Sequence, residues 1–154
     1  MQTYGHTIFC DDIRHELNGK VTLVGCYSGD MEFPVPGPVL YPKLGAWVNI
    51  LIPIEIKFSK VRLFVEKLEG DVKNLIFDAS IDLDGQTKDN DLPQDGEFLS
   101  IIVPCMWSPF EMSESGSLKV RAELDDGEII KLGSLKIKMP TTIEENLSEP
   151  DLPS

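Results

Sequence analysis

The chain has little with which to do acid-base or nucleophilic chemistry. Its 154 residues include two histidines, His6 and His15, and three cysteines, Cys10, Cys26 and Cys105. A Ser-His-Asp or Cys-His relay would have to use one of those two imidazoles. His15 sits close to a turn, and neither Cys10 nor Cys26 lies in a nucleophile motif. GxGxxG, GxxxxGK[ST], HExxH and paired CxxC are all missing, which removes the usual sequence signals for dinucleotide, phosphate-loop and zinc chemistry. The expectation is a protein that is not an enzyme, with no catalytic residues, no metal and no cofactor.

Long apolar runs are missing too. The longest, around Val48 to Ile56, is broken by Asn49, Pro53 and Glu55, and a membrane helix needs about 20 apolar residues in succession. The opening MQTYGHTIFCDD carries no basic stretch followed by an apolar one, so it does not read as a secretory signal. Three cysteines are an odd number without metal-ligand spacing. All three read as buried thiols, which points to the cytoplasm. Positive charge is scarce: 14 Lys and Arg face 26 Asp and Glu, for a net charge of -12. That disfavours nucleic acid and anionic membranes. It fits a protein partner with a basic surface, or plain solubility.

What is present reads as β-structure. Thr7–Glu16 and Lys20–Tyr27 form two strands around Asn18-Gly19, the strongest short-range hairpin signal, because both central residues of a type I′ turn need positive φ. Centring the turn there sets Asp11 opposite Cys26 and Ile13 opposite Val24. The resulting alternation is imperfect, so a bulge is expected near Asp11-Asp12. Residues 28–42 are proline-rich and read as a loop packed down by its apolar members. Leu44–Ile52 is nearly continuous apolar and reads as a central buried strand. Lys60–Glu66 and Asn74–Asp82 alternate, Phe98–Pro104 is apolar, and Cys105–Ser117 is a connection carrying Trp107 and Phe110. Leu118–Leu124 and Glu128–Met139 pair around Asp125-Asp126-Gly127, with Gly133 as a bulge.

The polar loop Asp84–Glu97, with Asp82 before it, lacks the EF-hand pattern and reads as solvated. Around seven or eight short strands with turn signals between them, and no sustained helical period, indicate an all-β, immunoglobulin-like antiparallel β-sandwich. A single domain is expected over 1–140, and a disordered acidic tail over 141–154.

Two sets of residues could carry function. Asp11, Asp12, Arg14 and Glu16 gather three carboxylates and a guanidinium, enough to hold a cation or orient a polar ligand; alternatively, the carboxylates bond to nearby backbone. Trp107 and Phe110, with Met106 and Met112, form either a docking patch or a plug at one end of the sandwich.

The run Phe9-Cys10-Asp11-Asp12-Ile13-Arg14, then Glu16, Gly19-Lys20 and Leu23-Val24-Gly25-Cys26-Tyr27, resembles the opening of a family of small bacterial and phage-associated proteins of unknown function, FCDDIR-x-E-x-x-GK-x-x-L-x-G-x-Y, followed by a β-rich body. The resemblance covers about the first 30 residues. It implies a bacterial or phage setting and assigns no reaction. The expected function is a non-enzymatic protein-interaction module acting through an acidic surface. The alternative is a small-molecule or metal site at Asp11, Asp12 and Glu16.

Overall fold

The computed structural model describes residues 2–82, 94–95, 97–125 and 127–141. The tail expected beyond Thr141, and the loop Asp84–Glu97 except Gln94, Asp95 and Glu97, lie outside them. The described chain is an all-β sandwich. Its strands are β1 (Tyr4–His15), β2 (Val21–Cys26), β3 (Asp30–Glu32), β4 (Val39–Tyr41), β5 (Leu44–Pro53), β6 (Lys60–Glu69), β7 (Val72–Asp82), β8 (Gln94–Asp95), β9 (Phe98–Trp107), β10 (Phe110–Met112), β11 (Gly116–Leu124) and β12 (Ile129–Lys138). One sheet runs β2-β1-β5-β9-β8 and the other β3-β12-β11-β6-β7, while β4 and β10 form a separate pair. Neighbours are antiparallel except β3, which lies parallel to β12. There are more strands than the sequence suggests. The proline-rich segment, expected as loop, supplies β3 and β4, and the 105–117 connection supplies the end of β9 and all of β10. These pieces are too short to show a period of two. No helix among the described residues is long and apolar enough to cross a membrane.

The Asn18-Gly19 hairpin forms, and both residues take positive φ, 64° and 75°. The loop has three residues, not two. Leu17 joins it, and the Glu16 N–H donates to the Lys20 carbonyl at 2.7 Å. The extra loop residue moves the register by one, so Cys10 faces Cys26 and Ile13 faces Leu23. No residue is inserted near Asp11-Asp12: pairing lapses at Asp11 and Gly25 and resumes in the same register. Even so, Cys10 and Ile13, three residues apart, both close over Gly45, so the alternation of faces is broken between them.

The core lies between the inner faces of the two sheets. Phe9, Ala46, Val48, Ile50, Ile52, Ile101 and Cys105 meet Val61, Leu63, Val65, Leu118, Val120, Ala122, Leu132, Leu135 and Ile137. Each of the larger side chains contributes about 1.5–3 kcal/mol by leaving water. The sheets are tied along one side by β1 and β12. Leu132 is an extra residue in β12, between the pairs Val120–Gly133 and Arg121–Lys131, and its carbonyl accepts the Thr7 hydroxyl at 3.0 Å. Gly133 follows at φ 143°, with Thr7 Cβ 3.2 Å from the point where a side chain would begin. The bulge expected at Gly133 is therefore the seam between the layers.

Candidate functional site

The carboxylate cluster does not converge. Asp11 Oδ1 accepts the Tyr27 hydroxyl, and accepts the Tyr41 hydroxyl at 2.9 Å; the two hydroxyls are 3.1 Å apart. Gly25, at φ 69°, makes room for this. A side chain there would collide with the Asp11 carboxylate. Burial, then the bonds to Asp11 and Tyr41, push the Tyr27 phenol well above its ordinary range. Asp11 thus fastens β1 to the segments carrying Tyr27 and Tyr41, and Tyr41 packs edge-on against Phe33 at 5.6 Å.

Asp12 turns to other partners, Arg14 Nε at 3.5 Å and Lys43 Nζ at 3.7 Å. Pairs this exposed are worth little. Glu16 is exposed at the base of the hairpin loop. Among the described residues, no group of three His, Cys, Asp or Glu side chains could hold a metal ion. His6 and His15 are both exposed. Nine residues apart on one strand, they lie about 30 Å from each other.

Trp107 and Phe110 are brought together, with ring centroids 6.5 Å apart, but they face inward. Phe110 is 2% exposed. Trp107 Nε1 donates to the Ile76 carbonyl at 3.0 Å. Ile76 is the unpaired residue of a bulge in β7, between Phe77–Val65 and Leu75–Glu66, so the indole bridges the first sheet to the edge strand of the second. Lys67 closes the same end, donating to the Glu111 carbonyl at 2.8 Å with its ammonium 5.8 Å from the Phe110 ring. This is the end plug, not an exposed patch.

The surface that sequence reading missed is the outer face of the first sheet. The register stacks four rows across β1, β5 and β9: Tyr4–Leu51–Ser100, His6–Asn49–Ile102, Ile8–Trp47–Pro104 and Cys10–Gly45–Met106. None of these positions is Asp, Glu, Lys or Arg. Tyr4 is 50% exposed, Ile102 47% and Met106 40%, and Trp47 and Ile8 are half-buried. The polar Ser100 and Asn49 bond to each other at 3.0 Å. Leu44–Ile52 is the central buried strand expected: its even-numbered residues lie in the core, and on the outer face Gly45 and Leu51 are buried as well while Trp47 and Asn49 are half-buried. The signal was present as apolar residues on both faces of three strands. It becomes a surface only once the register sets those strands side by side.

On the far side of the sandwich, Ser117, Lys119, Ser134 and Lys136 line an open groove of about 480 Å³. The carboxylates paired opposite these lysines, Glu66 and Asp30, are engaged by Lys73 at 3.0 Å and Lys138 at 3.6 Å. The cysteines also differ from expectation. Cys10 and Cys105 are buried, but Cys26, at the end of edge strand β2, is exposed. Burial raises the thiol of Cys10 to about 11 and that of Cys105 to about 12, with Cys26 contributing to the shift at Cys10. No family model matches the chain, and no curated protein does.

Proposed function

We propose that the protein is a non-enzymatic protein-interaction module that docks through the outer face of its first sheet onto a partner with an apolar patch inside a basic surround. The observation that carries this reading is the complete lack of charged side chains from four cross-strand rows in a chain of net charge -12. Depletion of charge with enrichment of aromatic residues and methionine is the composition of interface centres. With strands about 4.8 Å apart and same-face residues about 6.8 Å apart, the rows cover on the order of 400 Å² before side-chain relief is added. Cys10, Gly45 and Leu51 are buried within these rows, and the exposed remainder, around Tyr4, Ile102, Pro104 and Met106, is an apolar patch of the kind that is often functional on soluble proteins.

The acidic remainder of the surface supports a basic partner, because it speeds encounter and orients it. The likeness of the opening segment supports a bacterial or phage setting, and the three thiols fit a reducing compartment. We read the sandwich as immunoglobulin-like, an architecture shared by many binding domains.

Tagged wild type and Ile102→Asp, with unchanged melting temperatures, are used for capture from the native lysate over a salt series. The expected result is a stoichiometric partner that wild type retains, that weakens as salt rises, and that Ile102→Asp loses at least tenfold. A partner held equally by both proteins would overturn the assignment of this face.

A further inference from the structure

We propose that Cys10 and Cys26 form a reversible intramolecular disulfide, with a low-molecular-weight disulfide such as oxidised glutathione as the oxidant. The two residues are directly opposed on β1 and β2. The adjacent pair shares a ladder bond, Tyr27 N–H to Phe9 carbonyl at 2.8 Å, so Cys10–Cys26 is the non-hydrogen-bonded kind of antiparallel pair. In such pairs the Cα atoms approach to about 4.5 Å with the side chains close together, inside the roughly 4.4–6.8 Å that a disulfide spans. Cys10 Sγ now leans over Gly45, 3.3 Å from where a Cβ would stand. Met106 Sδ and Ile13 Cδ1 share that space, so closing the bond requires a turn of the Cys10 side chain about χ1 toward β2. Cys105 lies in the core on β9 and takes no part.

Exposure sets the order of events. Cys26, at the surface, attacks one sulfur of the oxidant as thiolate, forming a mixed disulfide and expelling one thiolate. Cys10 then gives up its proton and attacks Cys26 Sγ, closing the protein bond and expelling the second thiolate. Two protein thiols are oxidised, one small disulfide is reduced to two thiols, and the protons released by the cysteines pass to those thiols. The buried Cys10 must ionise to attack, and burial resists that, so ring closure quickens as pH rises. The bond lies in the last row of the charge-free face, where Cys10 meets Gly45 and Met106. It does not depend on what that face binds.

The test incubates the reduced full chain with oxidised glutathione at pH 8 and maps its peptides by mass spectrometry. The expected product is a Cys10–Cys26 cross-linked peptide, lighter by two hydrogens, with no retained glutathione and with Cys105 still free. Cys10→Ala, which has no resolving thiol, should hold a stable glutathione adduct on Cys26, and Cys26→Ser should not react. A wild-type adduct that persists on Cys26 with Cys10 reduced would overturn the proposal. So would cross-linking between chains, or an adduct lost from Cys10→Ala as fast as from wild type. Should Cys10→Ala fail to fold, the wild-type map and Cys26→Ser decide alone.

Discussion

Asp11 shows how a residue that looks chemically poised is used to hold the fold. Its carboxylate collects two phenol hydroxyls, each from a different segment, and Gly25 leaves the space it needs. A hydrogen bond to a charged group is worth about 1.5–3 kcal/mol, and removing the acceptor also strands the donors. Tyr27→Phe should therefore destabilise by about 1.5–3 kcal/mol in urea unfolding with an unchanged slope, and Asp11→Ala by more. Neither should weaken partner capture, because neither residue lies in the charge-free rows; lost capture by a folded Asp11→Ala would return the carboxylates to the functional site. The phenol adds a pH signature. Its acidity is suppressed by burial first and by Asp11 next. A raised folded value means that its contribution is complete below the unfolded value of about 10 and is lost as pH rises beyond it. Tyr27→Phe should flatten the alkaline fall in melting temperature.

At the scale of the element, the strands were legible because alternation is a local signal. The alternation over Lys60–Glu66 sets Val61, Leu63 and Val65 on one face of β6, and they are 1%, 2% and 0% exposed. In Leu118–Leu124 the same alternation sets Leu118, Val120 and Ala122 inward, and all three are fully buried. What escaped the sequence was register. One added loop residue, Leu17, moves Cys10 opposite Cys26, and the edge position of β2 leaves the Cys26 thiol exposed. Single-residue bulges at Ile76 and Leu132 freed two carbonyls, which Trp107 and Thr7 then use to join the layers. No periodicity in one strand can announce a partner in the other sheet.

Asp125 works in the same way. At φ 50° it accepts the N–H groups of Ser59 at 3.0 Å and Lys60 at 2.8 Å, plus the Ser59 hydroxyl at 3.2 Å. These bonds pin the start of β6 to the β11–β12 turn. The bond from Ser59 leads in holding this carboxyl below its ordinary value of 3.8. A depressed folded value means that the stabilisation is present above the unfolded value and fades as pH falls below it toward the folded one. Asparagine tolerates the same backbone. The gap in melting temperature between wild type and Asp125→Asn should be widest at pH 7 and narrow steadily below about pH 4. A gap that does not vary with pH would mean that the carboxylate charge contributes nothing there.

For the molecule as a whole, charge and the charge-free face oppose one another. A net charge of -12 keeps copies apart at neutral pH, and the repulsion reaches over about 10 Å at 0.1 M salt. The sequence pI is about 4.5. Near that pH the repulsion vanishes while the apolar rows stay uncovered, so the protein should become turbid there and clear again at pH 7. If the outer face of the first sheet drives this association, a charge placed in it should act out of proportion to its effect on net charge. Ile102→Lys and Ile129→Lys add the same charge at similarly exposed positions, 47% and 56%; only the first lies in the rows, and the second sits at the start of β12. Light scattering between pH 4 and 7 should show Ile102→Lys staying clear well into the range where wild type and Ile129→Lys scatter. Equal relief by both lysines would mean that net charge alone governs solubility, and the outer face would lose its claim to be the surface where this chain meets others.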